Sequence, residues 1–222
     1  MSTREAANIA YCLAFASDRN GVDGLYRIRV DGVGDEQVLW KSTARKYPTD
    51  WSRRWISLTV FDPTRKLDLW TLEPGQEARS YLQTEFSEQG GRLSPDERWM
   101  LYTSDESGAS AIYIRPFPNV NGGKWRVSGA SVGSAPRWRS DGKEIFFRDE
   151  GGQIFAVPVT LGEQSPDLGV PQMLFRIDSP GRAEYEVSRD GTRFLVPVPS
   201  DTRQGDVPLS VVVNWPTLFV RR

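Results

Sequence analysis

Four cations recur at nearly constant spacing along the chain. They are Lys46, Arg92, Arg137 and Arg182, separated by 46, 45 and 45 residues. Like charges at matching points of a repeated unit converge when the units are set around an axis. Gathered there, they would bind an anionic ligand or an acidic peptide segment. Four cations cannot share a small space without anions between them. Acidic neighbours such as Asp50 and Glu186 are therefore expected to neutralise them in part. The plainer alternative is that each cation pairs locally.

Composition narrows the other chemistries. The 222 residues contain no histidine, so they hold no Ser-His-Asp triad, Cys-His pair or HExxH zinc site. Carboxylate, lysine and tyrosine chemistry stays open. A single cysteine, Cys12, excludes an internal disulfide and a CxxC metal site. Flanked by Tyr11, Leu13 and Phe15, it reads as a small core residue. No DxDxDG calcium loop occurs. No catalytic residue, metal or cofactor is assigned on these grounds.

The balance of 28 basic to 29 acidic residues gives no global field for nucleic acid or an anionic membrane. Lys41, Arg45, Lys46, Arg53, Arg54, Arg65 and Lys66 form a local basic stretch against only Asp50 and Asp62. Without exposed aromatics between them it reads as a solvated face. The apolar run "IAYCLAFA" at 9–16 is too short to span a bilayer and short for a signal peptide, and it reads as a strand.

The elements that position the cations follow from a repeat. Asp18, Asp62, Asp105 and Asp149 lie 44, 43 and 44 residues apart. An aromatic follows each: Tyr26, Trp70, Tyr113 and Phe155. Upstream stand "LSPDERWMLYTSD" (93–105), "WRSDGKEIFFRD" (138–149), "VSRDGTRFLVPV" (187–198) and the degenerate "WSRRWISLTVFD" (51–62). Each has an apolar residue, a polar turn and a short run rich in β-branched or aromatic residues, which marks a strand. Gly142 and Gly191 supply the positive φ of a tight turn, whereas Glu97 and Arg54 stand near that place in other copies. Those two turns must be strained or differently shaped. The repeated Asp residues read as turn caps on the rim of separate units. Trp51, Trp70, Trp99 and Trp138 read as packing between units, with Trp125 and Trp215 less constrained.

One period supplies four strands of about five residues, the size of a β-propeller blade. The expected fold is all-β: four-stranded antiparallel blades, about five of them, or a partial ring of a larger propeller. The whole of 1–222 reads as one domain with repeats near 9–40, 47–83, 89–128, 135–176 and 183–220. The first repeat opens on its second strand. Residues 1–8 and Thr217–Val220 are candidates for the missing strands.

"LSPDERWMLYTSDESGASAIYIRPF" resembles the TolB-like, WD-repeat-like propeller repeat: Ser-Pro-Asp-Gly, an apolar strand, Ser-Asp, Gly and Ile-Tyr. The resemblance runs over about 9–214. The ending "PLSVVVNWPTLF" is similar to the C-terminus of propellers fused behind bacterial serine/threonine kinase domains, where the propeller is a sensor module. No kinase motif is present here. The resemblance implies no catalytic set, because fold does not carry function.

The leading functional expectation is a non-catalytic propeller that binds a protein or peptide partner, as a scaffold or sensor module of a bacterial protein. Its candidate ligand-binding residues are Lys46, Arg92, Arg137 and Arg182. Two alternatives remain: a propeller enzyme of hydrolase or lactonase type, and a fragment that self-associates through open blade edges. Nucleic-acid binding and membrane insertion are not expected. The compartment would be periplasmic or extracytoplasmic for the sensor part of a membrane kinase, and cytoplasmic otherwise.

Overall fold

The computed structural model describes residues 12–19, 21–64, 66–130, 132–177 and 185–196. Every element among them is a strand. The first sheet holds β1 (Cys12–Ser17), β2 (Gly24–Arg29) and β3 (Gln37–Lys41), in that order. The second orders β4 (Lys46–Trp51), β5 (Ile56–Asp62), β6 (Lys66–Leu72) and β7 (Arg79–Leu82). The third orders β8 (Glu88–Leu93), β9 (Trp99–Ser104), β10 (Ala111–Pro116) and β11 (Trp125–Arg126).

The fourth sheet holds β12 (Ser134–Trp138), β13 (Glu144–Arg148), β14 (Gln153–Leu161), β15 (Pro166–Leu168) and β16 (Gln172–Arg176). A final pair joins β17 (Glu186–Val187) to β18 (Phe194–Leu195). All pairings are antiparallel between chain neighbours, apart from β16, which returns past β15 to pair with β14. These are the up-and-down blades of a propeller. The nine-residue β14 exceeds its counterparts, and its last three residues pair with β15, an extra strand that the period does not announce. Residues 1–11 and 197–222, including the candidates for missing strands and Trp215, lie outside the described residues, as does Arg182.

Apolar burial lies between sheets, where flat faces stack. Leu25, Ile56 and Leu58 pack the first sheet on the second. Leu69, Tyr81, Met100 and Tyr102 join the second to the third. Leu101, Ile112, Ile145 and Phe147 join the third to the fourth, and Phe146, Ile154 and Tyr185 continue to the last pair. Gly91 marks a close approach: a Cβ there would lie 3.1 Å from Met100 Sδ and 3.2 Å from Leu69 Cδ2. Trp51, Trp70, Trp99 and Trp138 all sit in these seams. Trp125 does too, edge-on to Trp99 at 5.7 Å. Cys12 is only half-buried on β1, short of the core position expected from its neighbours.

Repeated aromatics serve a common purpose inside each sheet. Tyr26 stacks on Phe15 at 5.7 Å, Tyr113 tilts on Tyr102 at 5.9 Å and Phe155 stacks on Phe147 at 5.2 Å. Each of these is a directly opposed cross-strand pair. Trp70 faces Leu58 across the same register and stacks on Trp40 instead.

The turns also repeat. Glu97, Gly142 and Gly191 each donate the closing hydrogen bond of their turn, to Ser94, Arg139 and Ser188 carbonyls at 2.8–2.9 Å. Their φ values are 57°, 73° and 74°. Glu97 therefore adopts the left-handed form that glycine supplies elsewhere. Ser94 and Ser188 brace their turns alike: each hydroxyl donates to an aspartate two residues on and accepts the N–H five residues on.

Candidate functional site

The first strands of the second, third and fourth sheets carry Lys46, Arg92 and Arg137. Strands β4, β8 and β12 together wall a cavity of about 1110 Å³. Each of the three is bulged: register shifts occur between Pro48 and Asp50, between Gln89 and Arg92, and between Ser134 and Arg137. Gly90 (φ 68°) and Ala135 (φ 50°) turn left-handed within two of these bulges. A bulge removes peptide groups from the ladder and bends the strand. Side chains take over some of those groups. Thr59 Oγ1 accepts the Gly90 N–H at 3.1 Å, and Thr49 Oγ1 donates to Gly91 O at 2.8 Å.

Arg92 and Arg137 both line the cavity, and acidic residues meet them there. Arg137 Nη2 lies 3.0 Å from Glu186 Oε1, and its Nε donates to the same oxygen at 3.1 Å. Arg92 Nη2 reaches that oxygen at 3.6 Å, and its Nη1 lies 3.9 Å from Asp50 Oδ1. Asp50 Oδ2 accepts the Leu93 N–H at 3.0 Å. Burial pushes the Asp50 carboxyl up, and the Arg92 guanidinium opposes that rise. Arg137 also sits 5.4 Å over the Tyr185 ring. Asp50, Arg92, Arg137 and Glu186 thus form one network of two cations and two anions across four successive sheets. The neutralisation expected from the sequence is present.

Lys46 departs from the expected ring. Its side chain is 1% exposed, and Nζ donates to the carbonyls of Asp23 (2.7 Å) and Ser42 (3.2 Å), under the Trp40 ring. Desolvation lowers its pKa. The reason is register. Lys46 opposes Val60, two residues before the repeat-position Asp62, whereas Arg92 opposes Leu101, four before Asp105. Pro48, opposite Leu58, is the register equivalent of Arg92. Lys46 therefore ties the first sheet to the second, away from the Arg92–Arg137 pair. Arg182 cannot be placed, since it lies outside the described residues.

The repeated aspartates divide. Asp62 caps its own turn through the Thr64 N–H and hydroxyl. Asp105 and Asp149 do cap backbone groups, the Ser87 and Gln153 N–H at 2.8 and 2.7 Å, yet both border the cavity. Their placement on an outer rim is thus corrected: the turn after the second strand faces the cavity mouth. Arg148 and Arg176 line the same end, and no spacing rule had singled them out. The basic stretch at 41–66 disperses, with Arg54 held by Glu73 at 2.9 Å and Lys66 near Asp105 at 3.5 Å. Among the described residues no group of three or more His, Cys, Asp or Glu is arranged to hold a metal ion.

Comparison with solved structures agrees with the propeller. TolB from Acinetobacter baumannii superposes with a TM-score of 0.64 at 16% identity, covering 83% of this chain and 45% of that one. A putative TolB from Agrobacterium tumefaciens gives 0.58 at 14% identity, covering 73% and 62%. An oligogalacturonate lyase in complex with manganese gives 0.57 at 13% identity, covering 79% and 50%. The chain spans about half the length of these structures. No protein-family model and no curated protein matches the sequence. The fold is a TolB-like β-propeller, and these neighbours include both a non-enzymatic name and an enzymatic one.

Proposed function

We propose that this propeller is a binding module that receives a segment of a protein partner in the cavity walled by β4, β8 and β12. The observation that carries the reading is the state of the charges there. Arg92 and Arg137 are tied to Asp50 and Glu186, so the wall presents guanidinium edges already oriented by anions. Around them stand hydroxyls and bulged backbone, including Thr49, Thr103, Ser134 and Gly90. Such a surface matches the alternating donors and acceptors of an extended peptide. A volume of about 1110 Å³ admits several residues of one. The preference for an anionic ligand expected from four converging cations weakens to one for a neutral or mildly acidic segment. The sensor role, behind a kinase or otherwise, belongs to this proposal as its biological setting.

The test is selection of peptides from a random display library, followed by titration against wild type and Gln89→Trp. Gln89 lines the cavity and is not a member of the ion network, so an indole there fills space without removing any of its charges. Selected peptides should lose at least tenfold in affinity for the variant, with its thermal unfolding unchanged. Equal affinity for both proteins would place binding elsewhere on the surface. Turnover of lactones or uronic-acid oligosaccharides by wild type, abolished in Gln89→Trp, would replace the proposal with the enzymatic reading.

A further inference from the structure

Two carboxyl groups in the seam between the second and third sheets take no part in the cavity. Glu88 opens β8 and Asp68 lies in β6, and each residue is 1% exposed. Adjacent residues of the connecting loop strap them down. Thr84 Oγ1 donates to Glu88 Oε1 at 2.5 Å, and Gln83 Nε2 donates to Asp68 Oδ2 at 2.9 Å. The other two oxygens, Glu88 Oε2 and Asp68 Oδ1, are buried and have no hydrogen-bond partner among the described residues.

The charges that bear on Glu88 are the carboxylates of Asp68, Glu106 and Asp105, and the neighbouring charged groups have partners of their own. The turn after β9 brings Asp105 and Glu106, which Lys66 and Lys124 offset at 3.5 and 2.5 Å. From β9 comes Tyr102, whose hydroxyl accepts the Arg115 Nε–H at 2.9 Å. Strand β5 contributes Asp62, occupied with Thr64. Strand β4 contributes Lys46, directed at Asp23 and Ser42 carbonyls, and Asp50, directed at Arg92 and Leu93. Strand β12 contributes Arg137, and β8 itself Arg92, both engaged with Glu186.

Two ionised carboxylates cannot share a dry seam at low cost, and a buried oxygen without a donor carries its own penalty. A proton on Glu88 removes one of the two charges from the seam. We propose that Glu88 holds a proton near neutral pH, and that the neutral carboxyl latches the second sheet to the third. Loss of that proton sets two charges in the seam and loosens β8, which carries Gln89, Gly90 and Arg92 to the cavity. Burial pushes the Glu88 carboxyl up to about 7, Thr84 pulls it down, and Asp68, Glu106 and Asp105 add to the rise. A metal ion fits the place less well. It needs more oxygen ligands than two carboxylates and a hydroxyl supply, and neither acid reaches the cavity through which an ion would enter. The latch stands independently of what the cavity binds.

The sign follows from the raised pKa. A carboxyl held above its ordinary value of 4.5 in the folded state stabilises below that value. The contribution is then lost as pH rises through about 7. The folded-to-unfolded ratio should drop by on the order of 100-fold across that window from this group alone. The experiment is urea unfolding of wild type and Glu88→Gln from pH 5 to 8.5, with amide exchange followed in β8. Glu88→Gln should flatten that drop and exceed wild type in stability at pH 8. Exchange in β8, corrected for intrinsic rate, should accelerate at least tenfold between pH 6 and 8 in wild type and stay constant in the variant. The same pH dependence in both proteins would overturn the latch. Should the variant fail to fold, carboxyl ¹³C titration of the wild-type chain decides. A Glu88 midpoint above 6 supports the proposal, and one below 5 ends it.

Discussion

Tyr113→Ala removes an aromatic at the centre of the third sheet and tests the repeat directly. Tyr113 is 5% exposed and belongs to the seam that holds Leu69, Met100 and Tyr102. Its ring tilts on Tyr102 at 5.9 Å, with Lys124 Nζ 5.2 Å from the ring centroid. An aromatic of this size buries about 200 Å², worth about 5 kcal/mol at 25 cal/mol per Å². Truncating a large buried aromatic costs about 3–5 kcal/mol, the spread reflecting how far the site collapses. The Lys124 stem can fold into part of the space, which favours the lower half. Phe155→Ala is the control at the same repeat position. Phe155 is partly buried and stacked on Phe147, so it should cost about half as much. The two rings lie in different seams, and the double variant should be additive within about 0.5 kcal/mol. The measurement is the urea midpoint at constant slope. A loss below about 1 kcal/mol for Tyr113→Ala, or a larger loss for Phe155→Ala, would mean that the register is misassigned.

Asp50→Ala leaves the Leu93 N–H without its acceptor and removes an anion from beside Arg92, so it should cost about 2–3 kcal/mol in the same assay. Asp50→Asn keeps an acceptor oxygen and should cost less, and equal losses would show that the charge carries the effect. Gly142→Ala should cost about 1–2 kcal/mol from backbone strain, because φ is 73° while a Cβ there meets nothing closer than 3.5 Å. An unchanged unfolding midpoint for that variant would mean the turn relaxes to another type.

How much the sequence discloses depends on whether a feature is carried by spacing or by register. The blades are legible because each period repeats an Asp, an aromatic and a turn at fixed distance, and the strands between them can only alternate direction. The inner-strand cations look equivalent by the same count, yet the count fails for Lys46. A bulge inserts a residue into one strand without altering the period of the whole unit, so residues 45 or 46 apart need not oppose the same place. The bulges at 48–50, 89–92 and 134–137 each shift the inner strand differently against its neighbour. Lys46 lands at one end of its strand and Arg92 near the other. Asp50 and Glu186 were legible as counter-charges because any converging cations need anions, whatever the register. Glu88 and Asp68 leave no such trace. A glutamate opening a strand and an aspartate two residues into one look solvent-exposed in sequence. Only the stacking of one sheet on the next removes both from water. The extra strand β15 is hidden for a related reason: its pairing uses the overlong end of β14, and a run such as "PVTLGEQSPDLG" carries the turn residues of a loop. Chemistry in this fold therefore gathers where neighbouring sheets meet, and the seams are what a linear repeat describes least.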